Sequence, residues 1–297
     1  MLDYPALAAV SAVLREGSFE RAADRLGITP SAVSQRVRGL EERLGTILIV
    51  RGQPCTATEL GLTLSAHFDR VQLLEADLAP VLAPTAAEAG LRPPLKVAVN
   101  ADTLATWFPY AAATFTWATG LLLDLTVEDE AHTADRLRSG EVLAAVTSDP
   151  SPVQGCKTIL LGALRYGAYA SPAFMAQHFG EGVNADALAR APCMRFDQRD
   201  MLQARWAEEA YGVTLNAPTH WVPSPHGFVD FALAGIGWGL QPISLAHSHV
   251  VEKRLIEMPP RLQVEVKLYW TVTRLHATSL RQLTDAIRTA AGRHLCP

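Results

Sequence analysis

The chain has 297 residues and very little lysine. Lys96, Lys157, Lys253 and Lys267 are the whole supply, and none falls in the first ninety residues. Positive charge is therefore nearly all arginine, whose planar fork of donors suits guanine edges and phosphates. Cysteine is equally sparse. Cys55, Cys156, Cys193 and Cys296 lie far apart and form no C-x-x-C pair, which argues against zinc or dithiol chemistry. No apolar run reaches the ~18 residues that span a bilayer, so no membrane association is expected. The first ten residues, MLDYPALAAV, lack the basic start and sustained apolar stretch of an export signal. The expected location is the cytoplasm. Enzyme signatures are missing too: there is no Gly-x-Ser-x-Gly elbow, no P-loop and no His-Glu-x-x-His. His247-x-His249 would point to one side of a strand, but two histidines without a third ligand make no metal site. Neither an enzymatic activity nor a metal or cofactor is expected.

What is present suffices for two or three packed units, since 49% of residues are hydrophobic. The net charge of −4 does not exclude DNA as a partner. Binding needs a local cluster of cations at the phosphates, and the rest of the surface is free to be acidic.

The first sixty residues carry an ordered series of signals. Pro5 to Leu14 reads as an apolar-faced helix closed by Gly17, and Phe19 to Leu26 as a short helix ended by Gly27. Thr29 then offers an N-cap and Pro30 a first helical position. In the helix to about Leu44, Val33, Val37, Leu40 and Leu44 are spaced 4, 3, 4 and form one stripe for burial. The opposite face holds Ser31, Ser34, Gln35, Arg36 and Arg38, short hydroxyls, an amide and guanidiniums fit for the major groove of double-stranded DNA. Glu41 and Glu42 come only at the far end. Thr46 to Arg51 reads as a strand, Gly52-Gln53-Pro54 as a turn, and the return as a wing that places Arg51 at backbone or minor groove. Thr58 caps a long helix with a 4-3 seam of Leu60, Leu64, Val71, Leu74, Leu78 and Val81, His67 filling the gap. That seam calls for a second copy. Pro80 and Pro84 end or kink the helix, and 85–94 reads as a hinge.

The run AADRLGITPSAVSQRVRGLEERLG, followed by ILIVR and ATELG, resembles the N-terminal signature of the LysR-type transcriptional regulators. Leu48-Ile49 stands where the family pattern usually has Leu-Phe before the wing arginine, and Thr58 and Gly61 match its Thr-x-x-Gly. The resemblance implies homodimers, usually assembling to homotetramers, and a C-terminal ligand-sensing domain; RNA polymerase is a further candidate partner.

From Lys96 onward strands and helices alternate, which predicts a mostly parallel sheet with helices on both faces. There is too much for one small sheet, so two α/β lobes with a ligand between them are expected, at strand C-terminal ends and helix starts. The resemblance agrees, implying lobes like those of periplasmic binding proteins with two chain crossovers, expected near 163–166 and 264–268. The expected organisation is an α winged helix-turn-helix (1–58), a dimerisation helix (59–82), a hinge (83–94) and an α/β effector domain (95–297). Its first lobe takes 95–164 and 267–297, its second 165–266.

Strand ends name the candidate cleft. Asn100, Asp102 and Thr103 form the first, with Thr103 and free amides for a carboxylate and Asp102 for a cation. Glu128 and Asp129 belong to the densest acidic run, and Thr147 closes the third strand. In the other lobe Tyr169, Asp197, Ser224 and His226 face the cleft by this topology. An anion-binding helix start beside several acids describes a site for a cationic amino acid. The stretches AVNADTLATW (98–107), VEDE (127–130), RLRSGEVLAAV (136–146), LGAL (161–164) and LYW (268–270) resemble the branch of LysR-type regulators that senses lysine and arginine and controls basic amino-acid export. Two alternatives stay open: a LysR-type regulator with another effector, such as an organic acid, which would need cations where acids stand, and a solute carrier, which leaves the first ninety residues unexplained.

Overall fold

Helix ends in the first sixty residues are fixed by local caps. The computed structural model describes residues 2–82, 94–127 and 130–297. Asp3 accepts from the Ala6 amide and starts α1 (Tyr4–Glu16), which closes at Gly17 in the left-handed region. Ser18 does the same for α2 (Phe19–Leu26), closed by Gly27. Thr29 accepts from the Ala32 amide and starts α3 (Pro30–Leu44), closed by Gly45. Val33, Val37 and Leu40 are buried with Leu7, Val10, Val13 and Ala22 in one core. Leu44 corrects the expected stripe: it stands 40% exposed, because the helix stops there and Leu48 takes the next core position. The strand expected from Thr46 is shorter, only β1 (Ile49–Val50) paired antiparallel with β2 (Thr56–Ala57).

Thr58 accepts from the Gly61 amide at the start of α4 (Glu59–Leu82). Its seam is divided. Leu64 packs into the head, whereas Leu60, Leu74 and Leu78 remain 39–54% exposed on this single chain. The expected hinge at 83–94 lies, but for its last residue, outside the described residues.

The remaining chain builds two lobes around one mixed sheet. β3 (Leu95–Val99) lies between β4 (Leu123–Val127) and β5 (Ala144–Thr147), parallel to both. The helix expected from Thr103 to Thr116 is broken into α5 (Ala101–Ala105) and α6 (Phe108–Thr119). Pro109 explains the break, since it has no N–H to offer the Ala105 carbonyl. α7 (Glu130–Ser139) leads to β5. Beyond β5 the expectation of a mostly parallel sheet fails. β6 (Cys156–Ala170) and β11 (Val264–Thr273) pair antiparallel along their length, because β11 returns from the second lobe in the opposite sense. The first half of β6 lies with the β5 side of the sheet, and its second half pairs with β9 (Gly239–Pro242) and β10 (Ile256–Glu257). These two strands are therefore the crossovers between lobes, with an irregular register at Leu268 and Tyr269.

The second lobe adds α8 (Pro172–His178), α9 (Ala185–Arg190), the parallel pair β7 (Cys193–Arg195) and β8 (Thr219–Trp221), and α10 (Leu202–Tyr211). α11 (Pro225–Leu233) and α12 (Ile243–Val251) flank β9. His247 and His249 sit on α12, not a strand, so residues two apart diverge. α13 (Thr278–His294) covers the first lobe. Trp206, Trp238 and Trp270 are fully buried in the shared core. No helix among the described residues is long and apolar enough to cross a membrane.

Candidate DNA-reading surface and effector cleft

The polar face of α3 is free of core duty. Ser31, Gln35, Arg36 and Arg38 are exposed, Thr29 is exposed at the cap, and Ser34 is half-buried. Arg38 makes an i,i+4 ion pair with Glu42 at 2.8 Å, both well exposed, so it contributes a few tenths of a kcal/mol at most. Glu41 is withdrawn from that face. Its carboxylate accepts from the amides of Leu48 (2.8 Å) and Ile49 (3.3 Å), which fastens the wing to the end of α3. Arg51 lies with its guanidinium 5.1 Å from the centre of the Phe19 ring, a cation–π contact that holds the wing arginine beside α2.

Gly61 shows why small size is needed where α4 begins. A Cβ there would collide with the Leu48 carbonyl oxygen. The Thr58 hydroxyl donates to the Ile47 carbonyl at 2.9 Å, so cap, wing and α4 are locked at one point.

Between the lobes lies a cavity of about 410 Å³, within the range of small-molecule sites. Asn100, Asp102 and Asp197 line it as expected from the strand ends. The other expected residues that the structure describes do not. Thr103 is fully buried behind the loop, and its amide donates to Asn100 Oδ1 at 2.8 Å, so that amide is already used by the cap. Thr147 is buried and accepts from the Asp149 amide; its neighbour Ser148 lines the cavity instead. Tyr169 is packed among Met194, Phe228 and Leu255, and burial, with Glu257 second, pushes its phenol well up. Ser224 is the N-cap of α11, accepting from the Gly227 amide at 3.1 Å, and His226 is exposed, while Pro225 between them lines the cavity. Glu128 and Asp129 lie outside the described residues.

Several cavity residues were not foreseen: Tyr166, Asp200, Arg199 and Arg205, with Phe196 and Phe228 as apolar walls. The one signal for Asp200 is the pattern Asp197-x-x-Asp200 before a helix. Asp197 accepts from the amides of Arg199 (2.8 Å) and Asp200 (3.1 Å), and Asp200 accepts from those of Phe196 (2.8 Å) and Leu202 (3.0 Å). Burial acts to raise the Asp197 carboxyl, but the amides and the Arg199 guanidinium outweigh it and hold it below its ordinary range. Arg195 anchors the loop through the Asp200 carbonyl.

Asp102 differs from both. Its Oδ2 accepts from the Tyr166 hydroxyl at 2.7 Å. Burial pushes its carboxyl from 3.8 up to about 6; the Tyr166 bond opposes this, and the nearby Asp200 carboxylate adds to it. Two carboxylates from opposite lobes thus repel across one cavity, an arrangement that a cation entering between them would relieve.

Residues 5–62 match the bacterial regulatory helix-turn-helix protein, lysR family, and residues 88–292 the LysR substrate binding domain. The chain belongs to the LysR family of transcription regulators. It is 41% identical over 297 residues to the HTH-type transcriptional regulator ArgP of Pseudomonas fluorescens (strain Pf0-1), covering 100% of this chain and 99% of the relative. The crystal structure of ArgP from Mycobacterium tuberculosis is 38% identical, with a TM-score of 0.79 and 100% and 99% of the two chains covered. Full-length LysG from Corynebacterium glutamicum, solved with bound effector Arg, is 36% identical with a TM-score of 0.70, covering all of both chains. This LysR-family regulator is thus ArgP- and LysG-like over its full length, with a DNA-binding head, and is not an enzyme.

Proposed function

We propose that this regulator senses a basic amino acid, arginine or lysine, in the cleft between its lobes and thereby controls a gene for amino-acid export. The observation that carries the effector class is Asp102. Its carboxyl is held to a tyrosine rather than to a cation, and faces Asp200 across the cavity. A guanidinium or ammonium at this point replaces the missing counter-charge, while Ser148 and Arg199 are the lining groups for the ligand carboxylate. The arginine bound by the related LysG supports the reading. The regulator acts in the cytoplasm as a homodimer through α4, assembling to a homotetramer, with RNA polymerase as a further partner. Its working units are the head (1–58), the linker helix (59–82), the hinge (83–94) and the sensor (95–297).

On DNA, Ser31, Ser34, Gln35, Arg36 and Arg38 read the major groove from α3, with Thr29 at its start and Arg51 at the backbone. Calorimetry of the full-length chain with arginine, lysine and histidine tests the effector assignment. Saturable binding of arginine or lysine is expected; absence of heat for all three removes the assignment and leaves the family and its DNA-binding head untouched.

A further inference from the structure

Asp69, in the middle of α4, joins three parts of the molecule. It is only 8% exposed. Its Oδ1 accepts from the Ser11 hydroxyl (3.3 Å) and the Arg15 guanidinium (3.1 Å), both on α1 of the head. Its Oδ2 accepts from Lys96 Nζ (3.0 Å), on the first strand of the sensor. The Ser65 hydroxyl donates to Ser11 Oγ at 3.2 Å and completes the buried polar cluster. One carboxylate thus answers two cations that belong to different units.

The rest of the contact follows the same face of α4. The Arg70 guanidinium lies against Gly140, at the end of α7, so closely that a Cβ on that glycine would collide with it. Leu73 is buried in the sensor core. Asp77 Oδ2 accepts from the Thr278 amide at 2.7 Å, capping α13 in place of Ala277, which has no side chain able to do so. Positions 69, 70, 73 and 77 recur at helical spacing, so the linker helix docks on the first lobe along one stripe.

Lys96 gives that docking a direct line to the cleft. It sits on β3, which is held between β4 and β5 and buried at Leu95, Val97 and Val99. The same strand runs directly into Asn100 and the first turn of α5, where Asn100 and Asp102 line the cavity. A closely packed central strand transmits displacement with little give.

We propose that Asp69 is the positioning residue that couples the effector cleft to the DNA-binding head, through Lys96 on one side and Ser11 and Arg15 on the other. The coupling role rests on the effector reading above; the link between head and sensor does not. The full-length wild type, Asp69→Asn, Lys96→Gln and the double variant are compared on a duplex that the wild type selects from a random pool, with and without arginine. Arginine binding is measured separately without DNA. Both single variants should bind arginine within roughly twofold of wild type, yet lose roughly three- to tenfold of the arginine-induced change in duplex affinity. The double variant should be no worse than either single one. Lys96→Gln leaves the Ser11 and Arg15 contacts in place, so the head stays packed. An unchanged arginine response in the single variants, or losses that add in the double, overturns the proposal. If the wild type binds neither arginine nor lysine, the effector reading fails by itself. The arginine-free duplex affinities then decide: one common shift in all three variants upholds the link, and wild-type affinity in both single variants removes it.

Discussion

α3 and the cleft between the lobes are built in opposite ways. α3 takes its start, its stop and its exposed face from seventeen consecutive positions, Thr29 to Gly45. The cleft gathers Asp102, Tyr166, Asp200 and Val266 from four distant segments, and its charge balance depends on how two crossing strands bring the lobes together. The head is therefore robust to change at its exposed face and fragile at its joints. The cleft holds a buried carboxylate at a cost that a proton or a cationic ligand relieves.

The largest effect is expected at the joint. Gly61→Ala drives a methyl into the Leu48 carbonyl and should cost about 3 kcal/mol in head stability, with loss of duplex binding. Thermal melting and a gel shift check this; a wild-type melt would show that wing and linker move apart freely. Next comes the cleft. Asp102→Asn should abolish arginine binding while making the ligand-free protein more stable at pH 7.5, by about 2 kcal/mol, since it removes a carboxylate held at about 6. The sign follows from the direction of the shift. The folded state holds this proton more tightly than the unfolded one, so the stabilisation is full below about pH 4 and is lost as pH rises through 6. Effector binding runs the other way, because the cation prefers the ionised form: affinity should rise from pH 5 to 7. Calorimetry across that range, and a variant with neither pH dependence nor binding, make the check; a pH-independent wild-type affinity would move the cation elsewhere.

Smaller effects separate face from scaffold. Arg38→Ala should weaken duplex binding about tenfold with no change in melting, since its one protein partner among the described residues is exposed Glu42. An unaltered affinity in anisotropy titrations would take Arg38 out of the groove. Thr29→Ala removes a cap bond to the Ala32 amide and should cost about 1 kcal/mol of stability. A larger loss of DNA affinity than of stability would mean that the hydroxyl also meets the phosphate backbone.

The same contrast explains what could be read from sequence. α2 and α3 have the expected bounds because Ser18, Gly27, Thr29, Pro30 and Gly45 are local signals. β8 and β10 have two or three residues each and carry no usable periodicity. α12, with two histidines and two serines among apolar residues, shows no clean stripe. In the cleft, alternation of strand and helix located the loops but not the side chains. Thr103 and Tyr169 turn inward, whereas Asp200 is brought to the cavity by a loop whose shape depends on Asp197 accepting two amides, and Arg205 by the helix that follows it. The exposed polar face of α3 needed only helical periodicity; the lining of the cavity needed the fold.

The most direct test of a sensor joined to a reader is reciprocal linkage on the full-length chain. Duplex affinity is measured by anisotropy over a range of arginine concentrations, and arginine affinity by calorimetry with and without saturating duplex. The account predicts that each ligand changes the other's affinity by the same factor, roughly fivefold or more. Two affinities independent of one another would contradict it.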